Sequence, residues 1–164
     1  MLPVGGAHIT LDLAYGLEKP FDMCEKIKRS YTFNAPKNTQ IDVQGEDGQI
    51  ETFEGEQVSM IVDARVDEIL EMVEDAISKS GIRLGNWSSI YFTGGGLMTM
   101  NGARVYAASK LSRNVREANP KTSKLRPAQI YASGNGLLEL VYNTIELEEQ
   151  DEGLFDRIKR IFRR

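Results

Sequence analysis

Ser89-Ile90-Tyr91-Phe92-Thr93-Gly94-Gly95-Gly96 reads as a short β run opening directly into a glycine turn. Asn101 then stands where a helix through Ser112 would take its cap, and Val115 falls where a short return strand is expected. Strand, glycine loop and helix in that order make an α/β unit. Backbone amides free of side chains at a strand-to-helix turn can approach a phosphate, a ribose or a base closely. The loop has neither the lysine of GxxxxGK[ST] nor the spacing of GxGxxG, so a tight turn without any ligand stands beside the ligand-binding reading.

Working back from the loop, the clearest periodicity runs from Glu56 to Ser80. Val58, Ile61, Val62, Ile69, Leu70, Val73, Ala76 and Ile77 recur there at helical spacing, with Gly81 as a left-handed cap. The stretch from Thr39 to Phe53 predicts a two-stranded hairpin turning at Gly45-Glu46-Asp47-Gly48, with Ile41, Val43, Ile50 and Phe53 as its apolar positions. Earlier still, Met1 to Gly6 reads as a strand end and glycine turn, followed by helices over Ile9 to Leu17 and Phe21 to Tyr31. The second is amphipathic, with Phe21, Cys24, Ile27 and Tyr31 on one face and Glu25, Lys26, Lys28 and Arg29 on a solvated or functional one. Beyond the loop, Asn119 to Pro127 is polar. A further helix is expected from Ala128 to Tyr142, its first half kept small by Ala132-Ser133-Gly134-Asn135-Gly136.

A chain of 164 residues with 41% hydrophobic and 27% charged residues has room for one domain or two lobes with a modest core. No run of about 20 apolar residues is present, and the first residues have no basic region or apolar core of a secretory signal, which predicts a cytoplasmic protein. One cysteine, Cys24, rules out an internal disulfide and multi-thiolate metal sites, and one histidine, His8, rules out HExxH-type zinc helices. No metal ligand or catalytic residue is assigned. Both residues read as packing or capping groups.

Four stretches carry a family resemblance. They are Leu2-Pro3-Val4-Gly5-Gly6-Ala7-His8-Ile9-Thr10-Leu11-Asp12-Leu13-Ala14, Ala64-Arg65-Val66-Asp67-Glu68-Ile69-Leu70, Tyr91-Phe92-Thr93-Gly94-Gly95-Gly96 and Tyr131-Ala132-Ser133-Gly134-Asn135-Gly136-Leu137-Leu138. In that order they closely resemble the C-terminal half of the bacterial cell-division FtsA family, and the resemblance covers essentially the whole chain. It implies an actin/Hsp70-like, ribonuclease H-like α/β second lobe with an inserted α+β subdomain. The implied divisions are a core subdomain (1–18 and 86–127), the inserted subdomain (19–85), a helix (128–144) returning toward the first lobe, an acidic linker (145–152) and an amphipathic helix (153–164). The loops that hold phosphates and metal in that fold lie upstream of Leu2, so the chain is expected to be a fragment. It would keep only the adenosine side of an ATP site that uses Mg in the complete protein, with weak or absent ATP binding and no hydrolysis. The resemblance assigns Gly94, Gly95 and Gly96 to close approach over the nucleoside, and Glu25 and Lys28 to ribose and adenine contacts. Glu25 and Lys28 share a helix face, and a solvated i,i+3 pair is their other reading.

The end of the chain is legible from physics. From Leu154 onward there are five basic residues and one acid, a sum of +4 in a chain whose net charge is -4, so an acidic body carries a basic tip. In Gly153-Leu154-Phe155-Asp156-Arg157-Ile158-Lys159-Arg160-Ile161-Phe162-Arg163-Arg164, Leu154, Phe155, Ile158, Ile161 and Phe162 fall on one helical face, with Arg157, Lys159, Arg160, Arg163 and Arg164 on the other. That pattern suits an anionic membrane surface and not nucleic acid, which has no use for the apolar face. Docking on the chain's own domain or in a partner's groove is the other reading. The acids from Glu146 to Glu152 read as a tether. By resemblance, the chain belongs to an adaptor that attaches FtsZ filaments to the cytoplasmic face of the membrane at the division site, with actin-like self-association in the complete protein. The inserted subdomain would hold the FtsZ C-terminal peptide, with Arg65 and Glu68 as exposed contacts, and charge reversal at Arg65 is expected to weaken peptide binding without changing thermal stability. The alternative is another actin/Hsp70-fold ATPase, such as a chaperone or a pilus-assembly actin homologue.

Overall fold

The computed structural model describes residues 3–85, 87–118, 134, 136–138, 140 and 141. It divides into a unit from Met1 to Ala118 and a second from Asn119 to Arg164. In the first, the order is α1 (Gly6–Leu17), α2 (Phe21–Ser30), β1 (Gln40–Gln44), β2 (Ile50–Glu54), α3 (Gly55–Lys79), β3 (Ser89–Phe92), a 3-10 turn (Leu97–Thr99), α4 (Ala103–Lys110) and β4 (Asn114–Glu117). Among the described residues the fold is mixed α/β with two small sheets. In the second unit, Gly134, Gly136, Leu137, Leu138, Leu140 and Val141 are helical, within the stretch expected as a helix. The polar loop, the acidic linker and the terminal amphipathic segment lie outside the described residues.

Helix α1 starts three residues earlier than the apolar pattern suggests, and no strand precedes it over Pro3 to Gly5. Extended Gly5 is its cap, and the Gly5 N–H donates to Nδ1 of His8 at 3.2 Å, so the single histidine serves a helix end. Ile9 and Leu13 bury one face, with Thr10 among them. In α2, Cys24 and Ile27 are buried as the spacing predicts, and so is Tyr31 just beyond it. Phe21 is instead exposed, and Lys28, expected on the solvated face, is only 3% exposed.

The hairpin forms in antiparallel register, Ile41 opposite Phe53 and Val43 opposite Glu51. Its turn closes through Gly45 N–H to Gln49 O at 2.8 Å, with Gly48 at φ +79°. Ile41, Val43 and Phe53 are buried, but Ile50 is not. It stands three residues from Phe53, and side chains alternate along a strand, so the two cannot share a face.

Helix α3 spans 25 residues, roughly 37 Å at about 1.5 Å per residue. Its buried stripe is Val58, Val62, Val66 and Leu70, one residue per turn, and it packs against α1. Gly81 follows its end at φ +68°. Strand β3 pairs with β4 in parallel, Ile90 beside Val115, through a crossover that contains α4. Asn101 does not cap α4: its carbonyl accepts the Phe33 N–H at 2.9 Å, and the cap is Gly102 at φ +79°. A Cβ on Gly102 would lie 3.3 Å from Phe33, so contact with Phe33 moves the helix start. The helix ends at Lys110, short of the expected Ser112.

Two glycines of α1 meet different neighbours. A Cβ on Gly6 would lie 2.7 Å from the Gly96 Cα, which is backbone, whereas one on Gly16 would meet only the flexible end of Ile61. We expect Gly6→Ala to destabilise the chain by about 1–3 kcal/mol and Gly16→Ala to stay within about 1 kcal/mol of the parent. Urea midpoints of the two variants check this.

Candidate nucleoside and partner-facing site

The glycine loop leaves β3 and turns back onto the first turn of α1. Gly94 has φ +107°, a conformation that excludes other side chains in practice, and a Cβ there would meet nothing within 4 Å. Its outer face is open. Gly96 is small for a different reason, since a Cβ on it would stand 3.1 Å from the Gly6 Cα. Gly95 lies between them on the surface, its carbonyl accepting from the Thr99 hydroxyl at 3.1 Å.

Glu25 and Lys28 reach the same place from α2. Lys28 Nζ donates to the Gly6 carbonyl at 3.3 Å, to Thr10 Oγ1 at 2.9 Å and to Glu25 Oε2 at 2.5 Å. Thr10 donates in turn to Glu25 Oε2 at 2.6 Å, while Glu25 Oε1 accepts from Arg29 Nε at 3.1 Å. Burial pushes the Glu25 carboxyl upward, but the bonds from Lys28 and Thr10, the Lys28 charge and the Arg29 bond outweigh it and hold the group below the ordinary carboxylate range. Of the five residues nominated for the nucleoside, Lys28 and Gly96 each touch Gly6, and Glu25 joins them through Lys28 and Thr10, whereas no contact brings Gly94 or Gly95 to Gly6. The arrangement leaves Glu25 an ionised hydrogen-bond acceptor held from inside by Thr10 and Lys28. Among the described residues, no group of three or more His, Cys, Asp or Glu side chains is placed to hold a metal ion.

Arg65 and Glu68 project from α3 and are bonded to each other. Arg65 is not a free surface group: its side chain is 25% exposed and grips Asp12 of α1 through Nε and Nη2, the latter bond at 3.0 Å. Changing its charge would leave Asp12 unpaired, which corrects the expectation that this residue can be altered without touching stability.

The model for cell division protein FtsA matches residues 1–136. The chain belongs to the FtsA family. It is 29% identical over 159 residues to the cell division protein FtsA of Bacillus subtilis, covering 93% of this chain and 35% of that relative. To the FtsA of Rhizobium meliloti it is 32% identical over 125 residues, 71% of this chain and 28% of the relative. The FtsA of Buchnera aphidicola is 26% identical over 122 residues, with the same coverage. The chain thus spans about a third of the length of the curated relatives it matches.

Within this family member, two groups around the site escaped the sequence reading. Thr10 carried one signal, a hydroxyl inside the apolar face of α1. The other group lies on the far flank of α3, where Tyr31 donates to Asp63 and Tyr106 to Asp67, both at 2.8 Å, and Lys110 pairs with Asp67. Burial, the hydrogen bond to the carboxylate and its charge push both phenols far up. Asp63 is also raised, by burial first and by the Asp67 charge, against the Tyr31 bond and the Lys110 charge.

These directions give opposite pH signatures. Glu25, lowered on folding, stabilises above the ordinary carboxylate range, and that contribution is lost as pH falls through its folded value. Glu25→Ala should cost about 2–4 kcal/mol at neutral pH, and less as the solution is acidified. Asp63, raised on folding, is least favourable when ionised, so Asp63→Asn should gain stability at neutral pH, with the gain shrinking on acidification. Urea titrations between pH 7 and pH 3 read both slopes.

Proposed function

We propose that the chain forms the second-lobe portion of an FtsA-type adaptor of actin/Hsp70-like fold, which ties FtsZ filaments to the cytoplasmic face of the membrane at the division site. The observation that carries the reading is the basic amphipathic segment from Leu154 to Arg164 at the end of a member of the FtsA family. The family match supports an adaptor over a chaperone or pilus-assembly ATPase, since each relative named above is called a cell division protein. Among the described residues no helix is long and apolar enough to cross a membrane. A segment of 11 residues would be roughly 16 Å long as a helix, against a hydrocarbon core of about 30 Å, so it lies along the surface. Changing Phe155 and Phe162 to Asp should abolish co-sedimentation with anionic vesicles, while raised salt weakens it only in part because the apolar contribution persists. Vesicle binding that survives deletion of residues 153–164 overturns the membrane role.

On the same reading the core subdomain is 1–18 with 86–127, the inserted subdomain is 19–85, and 128–144 is the helix that returns to the first lobe. Gly94, Gly95, Gly96, Glu25 and Lys28 form the adenosine side of an ATP site, with Mg and the phosphates handled by the rest of the complete protein. Arg65 and Glu68 meet the acidic, aromatic C-terminal peptide of FtsZ on the inserted subdomain, and the complete protein self-associates into filaments. Glu68 has the more exposed side chain of the two, at 47%. We expect Arg65→Ala to weaken peptide binding several-fold and to lower thermal stability at the same time, because Asp12 loses its partner. Glu68→Ala should change peptide affinity at unchanged melting temperature. Fluorescence anisotropy with a labelled peptide, beside thermal melts, separates the two effects.

A further inference from the structure

Thr10 is 0% exposed and sits one turn into α1, between apolar Ile9 and Leu13. An ammonium has three protons to donate. Those of Lys28 go to Gly6 O, Thr10 Oγ1 and Glu25 Oε2, and the side chain is 4% exposed, so it has nothing left to offer a ligand. Glu25 is divided between two environments. Oε2 is held from inside by Thr10 and Lys28, whereas Oε1 takes one bond from Arg29, whose side chain is 71% exposed. Exposed ion pairs of that kind are weak, and a ligand hydroxyl can replace one.

We propose that Thr10 is the positioning residue of this site: seated between Lys28 and Glu25, it commits the Lys28 ammonium to the interior and leaves Glu25 Oε1 as the oxygen offered to a ligand. This rests on the nucleotide reading above and narrows it. A carboxylate oxygen recognises a donor, and the donor assigned to it at α2 is a hydroxyl of a ribose diol, with the adenine amino group as the competing donor that the 2′-deoxy comparison tests. A base nitrogen would need a donor, and Lys28 has none free. Lys28 therefore acts through Glu25 and not on the adenine. The hydroxyl is well suited to the task because it accepts from the cation and donates to the anion at once, which neither a valine nor an alanine can do.

The test is a carbon-13 NMR titration of the Glu25 carboxyl in the 164-residue chain and in Thr10→Val, with calorimetric titration of ATP and 2′-deoxy-ATP on the same samples. Thr10→Val should move the Glu25 midpoint up toward the ordinary carboxylate range and weaken ATP about tenfold, and Thr10→Ser should restore both. The unchanged chain should prefer ATP to 2′-deoxy-ATP. A Glu25 midpoint that stays in place in Thr10→Val overturns the proposal whether or not ATP binds. A midpoint that moves in a chain with no measurable ATP affinity supports the positioning role, and the nucleotide reading is then decided by the same calorimetry with adenosine, which needs no phosphate-holding loops: adenosine that fails to bind at millimolar concentration overturns that reading. Equal affinities for the two nucleotides overturn the diol assignment. Should Thr10→Val fail to fold, the same titration of Thr10→Ala decides.

Discussion

A buried ammonium fixes the arrangement around the candidate site. Placing the charge of Lys28 out of water is costly unless every proton finds an acceptor and an anion stands close by. Gly6 and Thr10, one turn apart on α1, supply two acceptors and α2 supplies the anion, so Lys28 ties the two helices together at this point. That same turn meets Gly96 backbone to backbone. A side chain at either glycine would push the loop away from the helix, and the open surface at Gly94 would move with it.

Helix α3 receives this arrangement on one flank through Asp12 and Arg65. On its other flank, Asp63 and Asp67 stand one turn apart and repel each other. Two tyrosine hydroxyls and Lys110 absorb the repulsion. These acids hold α3 against the segment after α2 and against α4, where Tyr31 meets Phe33 edge to face and Phe33 lies tilted on Tyr106, with ring centroids 5.1 and 4.5 Å apart. The polar contacts add direction to an interface whose stability comes mainly from the apolar stripe beneath them.

Helix α3, the hairpin and the β3 strand were legible because each repeats its pattern within a few residues, at the helical period or at two. Features set by distant partners were not. Lys28 looks solvated until Thr10 and Gly6 arrive from 18 and 22 residues away. Arg65 looks free until Asp12 arrives from 53 residues away. Asn101 lost its capping role to contact with Phe33, another long-range neighbour. The glycine loop was seen as one unit, yet its members answer to different constraints: backbone conformation at Gly94 and close packing at Gly96.

The charge inventory of the cluster limits what it can recognise. Lys28 and Arg29 are its cations, and both are bonded to Glu25. A phosphate chain brought to Glu25 would find one exposed, already paired guanidinium and a carboxylate that repels it. Backbone amides of the loop offset part of that repulsion, but they carry only partial charge. A neutral sugar loses nothing to the same carboxylate and gains a charge-assisted hydrogen bond. The cluster by itself therefore suits a neutral hydroxyl better than an anion, and on the nucleotide reading proposed above the positive charge that phosphates require would have to come from groups beyond it.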